Sequence, residues 1–260
     1  EKLKEAIDNE TILVSISSVN NELGTIQPIK EAVDIVKAKN PKTLFHTDAS
    51  DAYGRIPLNV QNLNVDLATL SSYKIQGPRG MGAMYLKEGV NMERILEGQI
   101  GTQKLWPGIE NTPLIVGFTK ASELAFENFE ANTTKMRTLR DKLVDGIFNE
   151  LSDLRFNGPK GDKRSPDNAN VSILRAEGEA LTIELSLNGV YVSSRRACSR
   201  RLLQTSHVII AIGRIFEEAH GSILMKVTRS HTEEDIDYVL KVLPTAVNRI
   251  RGIVGSTGVH

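Results

Sequence analysis

The sequence has little of what would assign it to a specialised class of protein. It has one cysteine, so no disulfide can form within the chain, and one cysteine with five scattered histidines gives no metal-ligand spacing. Its longest apolar runs, residues 11–16 and 208–212, are far too short to span a bilayer. No charged and then apolar leader opens the chain. These features predict a cytoplasmic protein without a membrane segment.

Charge of one sign is also lacking. Lys and Arg together number 32, as do Asp and Glu, so the formal net charge is zero. No basic field is available to attract phosphate backbones, which argues against nucleic-acid binding. With 40% hydrophobic and 25% charged residues in 260, the composition is that of an ordinary globular protein with one large domain or two unequal ones.

The first 115 residues alternate β-rich runs with helical patterns. Strands are predicted at residues 11–16, 43–45, 66–70 and 82–86, and an amphipathic helix follows Pro28. This alternation predicts an α/β fold with a mostly parallel sheet. Such sheets place ligand sites at the carboxyl ends of their strands, where Asp48 and residues 71–74 should lie.

The hydrophobic period changes after Pro113. Apolar residues then recur at helical spacing to residue 147, which predicts one long or broken helix. The remaining pattern predicts strands at 170–174, 190–193 and 222–227, and helices at 177–187, 205–212 and 232–250, the last with Thr232 and Asp235 in positions like those of a capping box. We therefore expect a large domain over residues 1–115 and a small α+β domain over residues 116–260. Residues 158–168, rich in Gly, Pro, Lys and Asp, are predicted to form a surface loop.

Two residues at the predicted strand ends could carry chemistry. Lys74 follows a buried strand and precedes three glycines, a setting in which a lysine can form a Schiff base. Asp48 ends the neighbouring strand. A lysine and a carboxylate converging there suit pyridoxal phosphate, because the lysine holds the aldehyde and the carboxylate keeps the ring nitrogen protonated. The alternatives are a solvated turn lysine and an aspartate that caps a turn.

Cys198 is the third candidate. Four arginines lie within three positions of its sulfur: Arg195, Arg196, Arg200 and Arg201. Nearby positive charge favours the nucleophilic thiolate. The alternatives are a buried, inert cysteine and an arginine patch that binds an anionic partner.

Several motifs together resemble those of the cysteine desulfurases, pyridoxal-phosphate enzymes of the class V aminotransferase group. They are Val19-Asn-Asn-Glu-Leu-Gly24, His46-Thr-Asp-Ala49, Lys74-Ile-Gln-Gly-Pro-Arg-Gly80 and Ala197-Cys-Ser199, in the family's order. The resemblance covers essentially the whole chain. It implies the type I fold of pyridoxal-phosphate-dependent transferases, with this chain holding the C-terminal part of the large domain and the small domain.

The resemblance also implies residue roles. Lys74 would form the Schiff base with the cofactor and move the substrate proton, and Asp48 would lie under the pyridinium nitrogen. Asn21 would lie near the cofactor hydroxyl and the substrate, and Ser71 would bind the phosphate. Cys198 would attack the sulfur of L-cysteine and keep it as a persulfide, leaving L-alanine. The sulfur would then pass to an acceptor such as an iron–sulfur scaffold protein.

The sequence departs from the family pattern at several of these positions. Asp51 replaces a glutamine near the cofactor's O3′, and Tyr73 replaces a histidine in the cofactor pocket. Leu224 stands where an arginine binds the substrate carboxylate, and Ile109 stands where a threonine from the partner subunit binds phosphate. The Ser-Gly-Ser before the cysteine becomes Ser-Arg-Arg at residues 194–196.

The family's N-terminal strands, phosphate-binding turn and ring-stacking histidine do not occur in this sequence. We therefore expect a homodimer, or a companion chain or segment that supplies them. The main alternative is a degraded relative that acts as a scaffold or as half of a split enzyme. A related lyase or aminotransferase acting on another amino acid also remains open, because Leu224 cannot provide the usual carboxylate clamp.

Overall fold

The computed structural model describes residues 1–98, 105–194 and 205–256, with only the backbone at 254–256. The chain divides into two compact units, one made of Glu1–Val19 and Gln27–Phe129, the other of Asn20–Ile26 and Glu130–His260. The expected domains, 1–115 and 116–260, remain a prediction. Within the described ranges, no helix is long and apolar enough to cross a membrane.

The first unit contains a four-stranded sheet. Its strands are β1 (Leu13–Ser17), β2 (Leu44–Asp48), β3 (Leu67–Ser71) and β4 (Gly82–Leu86), in the order β1-β2-β3-β4. The first three are parallel and β4 is antiparallel to β3. The predicted α/β fold with a mostly parallel sheet is confirmed, and the carboxyl ends of β2 and β3 meet at one edge of it.

The described part of the first unit also contains four helices. They are α1 (Lys2–Ala6), α2 (Ile29–Lys39), α3 (Val60–Leu63) and α4 (Thr112–Phe126). In α2 the apolar residues Ile29, Val33 and Val36 recur at helical spacing, and all three are buried in one core with Phe45 and Ala68 of the sheet. This burial fixes which side chains of each strand face the core.

The alternate side chains of the same strands form a polar row. Ser15 Oγ lies 2.7 Å from His46 Nδ1, and His46 Nε2 lies 3.2 Å from Thr69 Oγ1, which links β1, β2 and β3 by side chains. Because side chains alternate along a strand, Asp48 and Ser71 continue this row at the carboxyl ends of β2 and β3.

The second unit is built around a small antiparallel sheet. Its strands are β5 (Leu154–Phe156), β6 (Asn168–Ile173) and β7 (Ser222–Lys226), with every residue of β6 buried. Its helices are α5 (Phe129–Glu150), α6 (Gly178–Leu187), α7 (His207–Ala211), α8 (Phe216–His220) and α9 (Glu233–Ser256). The expected small α+β arrangement is found in this unit.

Most predicted elements are confirmed, but some are not. The helical pattern over residues 113–147 is two helices, α4 and α5, as the broken-helix alternative allowed. The strand predicted at residues 190–193 is wrong: Ser193 forms only an isolated bridge with Leu224. The strand β5 and the helix α8 were not predicted. Both are short, and brief elements carry too few residues to show a period.

The prediction of a surface loop at residues 158–168 is wrong for its second half. Arg164, Ser165, Asp167 and Asn168 are each at most 1% exposed. Arg164 donates to the carbonyl of Pro159 at 2.7 Å and to Asn168 Oδ1 at 2.8 Å, and it also bonds the carbonyl of Asn157. Burial, followed by repulsion from Arg140, lowers the pKa of Arg164 to about 9. Arg164, Ser165, Asp167 and Asn168 are therefore polar because they form a buried hydrogen-bond network, and not because they are exposed to solvent.

Candidate active site

A tight turn presents Lys74 at the carboxyl end of β3. A short 3₁₀ helix, Ser72–Ile75, follows the strand directly, and the next residue, Gln76, has a φ of 68°. The amide of Gly77 then donates to the carbonyl of Ser72 at 3.0 Å. A Cβ at position 77 would lie 2.3 Å from Ser72 Oγ and 3.0 Å from the carbonyl oxygen of Ser72, so glycine lets the chain return this closely without displacing its neighbours.

Asp51 is the carboxylate that Lys74 contacts. Lys74 Nζ donates to Asp51 Oδ2 at 2.8 Å, and the two side chains are 22% and 7% exposed. A turn after β2, in which the amide of Tyr53 donates to the carbonyl of Ala49 at 2.8 Å, carries Asp51. The resemblance led us to expect Asp51 near the cofactor's O3′, and the ion pair with the lysine was not predicted.

Asp48 lies at the end of β2, as predicted, and its side chain is exposed. Its Oδ1 accepts a hydrogen bond from the amide of Ser50 at 2.9 Å, which is the turn-capping contact held open as an alternative. In the register of the sheet Asp48 pairs with Thr69, two residues before Ser71. The predicted roles of Asp48 and Ser71 stay predictions.

Two further side chains flank Lys74. Tyr73 is 51% exposed, and Lys74 Nζ lies 5.5 Å from the centroid of its ring. Arg55 Nη2 donates to the backbone carbonyl of Lys74 at 2.5 Å, a contact that no pattern in the sequence indicated. Arg55 therefore holds the lysine's backbone, and the ring of Tyr73 lies beside its charged end.

The donor set of the first unit fits pyridoxal phosphate. Lys74 offers an amine for the aldehyde, and Asp48 offers an exposed carboxylate to a ring nitrogen. Ser71 offers a partly exposed hydroxyl at the same edge of the sheet. The side chain of Lys74 is 22% exposed. Among the described residues there is no group of three or more His, Cys, Asp or Glu side chains arranged to hold a metal ion.

Asn21 lies in the segment Asn20–Ile26, which belongs to the second unit. Hydrogen bonds within that unit hold the backbone of this segment. Asn20 Oδ1 accepts from the amides of Glu22 and Leu23 at 3.0 and 2.8 Å, and Asn168 Nδ2 donates to the carbonyl of Glu22 at 3.2 Å. These bonds hold the backbone on one side of Asn21. Its predicted contact with the cofactor is untested.

Cys198 and the four arginines around it lie outside the described residues. The prediction of a reactive thiol therefore remains a prediction from the sequence alone.

Comparisons with known proteins identify relatives of this chain. The model of the family described as aminotransferase class-V matches residues 1–239. The cysteine desulfurase IscS of Clostridium botulinum strain Hall is 43% identical over 252 residues, which are 96% of this chain and 63% of that protein. The IscS 1 of Archaeoglobus fulgidus is 39% identical over 97% of this chain and 65% of that protein.

Solved structures give the same result for the fold. A NifS-like protein superposes with a TM-score of 0.84 at 34% identity, over 98% of this chain and 64% of the other. The apo structure of a cysteine desulfurase from Thermococcus onnurineus, at 16% identity, matches in fold with a TM-score of 0.75. The chain thus spans slightly less than two thirds of the length of these relatives.

The predicted resemblance to cysteine desulfurases is confirmed by these comparisons, and the predicted type of fold is confirmed with it. Because the family model matches nearly the whole sequence, this chain belongs to the aminotransferase class-V family, whose members depend on pyridoxal phosphate.

Proposed function

We propose that this chain carries the lysine and the sulfur-accepting cysteine of a cysteine desulfurase, which takes L-cysteine to L-alanine. The observation that supports this most is Lys74, a partly exposed amine paired with a carboxylate at the carboxyl end of β3, in a chain 43% identical to a cysteine desulfurase. When bound, pyridoxal phosphate would supply an electron sink for the bonds at the substrate's Cα.

The residues of the first unit would bind and orient the cofactor. Lys74 would hold it covalently and, once released, move the proton of the substrate's Cα. The carboxylate of Asp48 would accept a hydrogen bond from the protonated ring nitrogen. The hydroxyl of Ser71 would donate to a phosphate oxygen, and the ring of Tyr73 would border the pocket. Asn21 would contribute an amide to the cofactor hydroxyl and the substrate.

Cys198 would be the sulfur acceptor. Its thiolate would attack the substrate sulfur, forming an S–S bond while the Cβ–S bond of the substrate breaks. The substrate's Cβ takes up a proton. The thiol of Cys198 and L-cysteine would thus give a persulfide and L-alanine, with no external oxidant or reductant. The persulfide sulfur would then pass to a second thiol, on an acceptor such as an iron–sulfur scaffold protein.

Absorption spectroscopy tests the cofactor part of this proposal. Saturating pyridoxal phosphate should give a visible band in the unaltered chain, tested alone and with a companion polypeptide that carries the family's N-terminal segment. The variant Lys74→Ala should abolish that band. Lys37→Ala is a matched control, because Lys37 is also ion-paired in the first unit and is 23% exposed. No band in any of these samples, or an equal band in Lys74→Ala, would refute it.

Product analysis tests the reaction. The protein with L-cysteine and a thiol reductant should release equal amounts of sulfide and L-alanine, and Cys198→Ser should remove both products. Equal turnover by Cys198→Ser would show that another acceptor is used. The cytoplasm, where thiols are kept reduced, is the compartment that this chemistry suits.

Leu224 favours a second candidate, a relative that does not process L-cysteine. It lies on β7 and pairs with Asn170 of β6, and its aliphatic side chain cannot form a bidentate bond to a carboxylate. A scaffold subunit, or a lyase or aminotransferase with another substrate, would show a cofactor band but no sulfide from L-cysteine. Restoring the arginine with Leu224→Arg should then raise turnover only if the L-cysteine reaction is the native one.

A further inference from the structure

One turn of the chain contacts Lys74 at both of its ends. This turn, residues 49–56, lies between β2 and α3 and is called the 49–56 turn below. Asp51 accepts a hydrogen bond from Lys74 Nζ at 2.8 Å, and Arg55 Nη2 donates to the backbone carbonyl of Lys74 at 2.5 Å. The amine and the backbone of the lysine are therefore both held by one short segment.

The 49–56 turn is closed by its own backbone. The amide of Tyr53 donates to the carbonyl of Ala49 at 2.8 Å, and the amide of Arg55 donates to the carbonyl of Ala52 at 3.0 Å. Neither bond involves the lysine, so the turn has its own support for the two side chains that it presents.

The same turn packs against α4. The ring of Tyr53 lies edge-on to that of Phe126, with centroids 5.0 Å apart. Gly54 has a φ of +72°, and a Cβ there would lie 3.2 Å from Ala125 Cβ and 3.0 Å from Ile75 Cγ2. The turn thus lies close both to the helix and to the 3₁₀ helix that carries the lysine.

The position of Lys74 explains why its carbonyl needs a partner. The lysine lies in the second half of the short 3₁₀ helix Ser72–Ile75, and the last carbonyls of a helix have no acceptor role within it. Cationic side chains often bind such carbonyls. Arg55 supplies this contact from the anchored turn.

We propose that Arg55 is a positioning residue for Lys74: by holding the lysine's carbonyl, it sets the direction in which the side chain projects, and so the orientation in which the amine meets an aldehyde. The inference rests on the proposed function for the identity of that aldehyde. In the capture step the nitrogen forms a bond to the aldehyde carbon, and the aldehyde oxygen leaves as water with two hydrogens of the amine. A misplacement of about 1 Å can lower the rate of such a step roughly 100-fold.

Trapping of the Schiff base measures this orientation. The protein, alone and with the companion polypeptide, is mixed briefly with pyridoxal phosphate and then with borohydride, which adds a hydride to the carbon of the C=N bond. Peptide mass spectrometry gives the labelling of Lys74 relative to that of Lys37, which is also ion-paired and equally exposed, at 23% against 22%. Arg55→Met should lower this ratio about tenfold or more, and Arg55→Lys, which keeps a cationic donor, should restore most of it.

Acetic anhydride is the matched reagent, because it is small and places little demand on the orientation of the amine. The ratio of acetylation at Lys74 to that at Lys37 should be the same in Arg55→Met as in the unaltered chain. If acetylation falls as much as trapping does, Arg55 controls only the access to the amine, and the proposal is overturned.

Arg251→Met is the control variant. Arg251 makes the same kind of contact in the second unit, where it donates to the carbonyls of Ser152 and Leu174 at 2.8 and 3.1 Å. Its replacement should leave both labelling ratios unchanged. An equal fall in trapping here would show that the loss of any such arginine is sufficient, which would also overturn the proposal.

Amide hydrogen exchange tests the positioning without any cofactor. The amide of Gly77 donates to the carbonyl of Ser72 at 3.0 Å and so closes the turn around Lys74. Arg55→Met should speed exchange at Gly77 about tenfold, because the turn has lost a charged hydrogen bond, and should leave exchange at Phe45 in β2 unchanged. Equal acceleration at both amides would indicate a general loss of stability and would contradict a positioning role.

The two measurements separate this inference from the proposed function. If the unaltered chain is trapped no more at Lys74 than at Lys37 while the exchange responds as stated, the proposed function fails and the positioning of the lysine stands. If trapping prefers Lys74 as strongly in Arg55→Met as in the unaltered chain, the positioning role fails and the proposed function stands.

Discussion

The guanidinium of Arg164 donates to Asn168 Oδ1 at 2.8 Å, and the amide of Asn168 donates to the carbonyl of Glu22 at 3.2 Å. A buried cation thus orients an amide that holds the backbone beside Asn21. The positive charge is satisfied by carbonyl and amide oxygens, the carbonyl of Pro159 among them. This chain of contacts connects the packing of the second unit to one of the predicted cofactor residues.

Replacing Arg164 should therefore be costly. Arg164→Met leaves several buried acceptors without a donor, and we expect the free energy of unfolding of the second unit to fall by about 3 kcal/mol or more. Arg249→Met is the control, because Arg249 pairs with Glu184 on the surface with 67% of its side chain exposed, and it should change stability by less than about 1 kcal/mol. Urea unfolding measures both. Equal effects would contradict a special role for the buried guanidinium.

Gly24 should tolerate no side chain. Its φ is +70°, and a Cβ would lie 2.6 Å from Asn168 Cγ. Gly24→Ala should destabilise the second unit by about 2–4 kcal/mol, since it adds a clash to the strain of the left-handed backbone. Gly189 has nearly the same φ, +74°, with nothing near its Cβ position, so Gly189→Ala measures the strain alone at about 1 kcal/mol. Thermal unfolding of the two variants should differ clearly, and similar losses would exclude the clash.

Thr232 caps the start of α9. Its amide donates to Asp235 Oδ2 at 2.8 Å, and its hydroxyl accepts from the amide of Asp235 at 3.4 Å, which confirms the predicted capping contacts. Thr232→Ala should lower the free energy of unfolding by about 1 kcal/mol, and Thr232→Ser should largely retain it. A loss of the same size in Thr232→Ser would show that the hydroxyl is not the cause.

The same cap should be visible in a pH titration. A hydrogen bond from Thr232 lowers the pKa of Glu234 below its ordinary value of 4.5. A carboxyl with a lowered pKa adds stability at higher pH, and this contribution is lost as the pH falls through the folded-state value. Thr232→Ala should therefore raise the pKa of Glu234 towards 4.5, measured by NMR. An unchanged titration would rule out the hydrogen bond.

Cys198 should react as a thiolate. The neighbouring arginines should place the midpoint of its iodoacetamide labelling clearly below the free-cysteine value of about 8.5. The double variant Arg195→Ala/Arg196→Ala should raise this midpoint, by an amount that shrinks as salt is added. A midpoint above the free value, or protection from the label in the folded protein, would remove Cys198 from the proposed reaction.

The pattern of strands and helices was largely readable from the sequence, because each long element buries a face of regular period. In α2 the spacing of Ile29, Val33 and Val36 is enough to predict both the helix and its buried side. The same reasoning correctly placed Asp48 and Lys74 at strand ends. What failed was the use of polarity as a sign of exposure at Arg164 and Asn168, since a satisfied polar group can be fully buried.

The partner of Lys74 could not be derived from spacing. The sheet predicted that strand-end residues converge, which favoured Asp48, yet the ion pair is made by Asp51 from the following turn. Turn geometry depends on local hydrogen bonds, such as that between Tyr53 and Ala49. The period of hydrophobic residues in the sequence does not predict such bonds. Contacts made by turns are thus the part of this site that the sequence pattern does not predict.

The assignment of Asn20–Ile26 to the second unit has a consequence for how the protein folds. The backbone passes from one unit to the other after Val19, returns after Ile26 and passes again after Phe129. A chain shortened to begin at Glu130 would lack Thr25, which forms a bridge with Arg164, and the carbonyl of Glu22 that Asn168 binds. The second unit is therefore not built from one continuous stretch of chain: Asn20–Ile26 must meet the residues that follow Glu130 before its last contacts form, and contacts between stretches far apart in sequence form slowly.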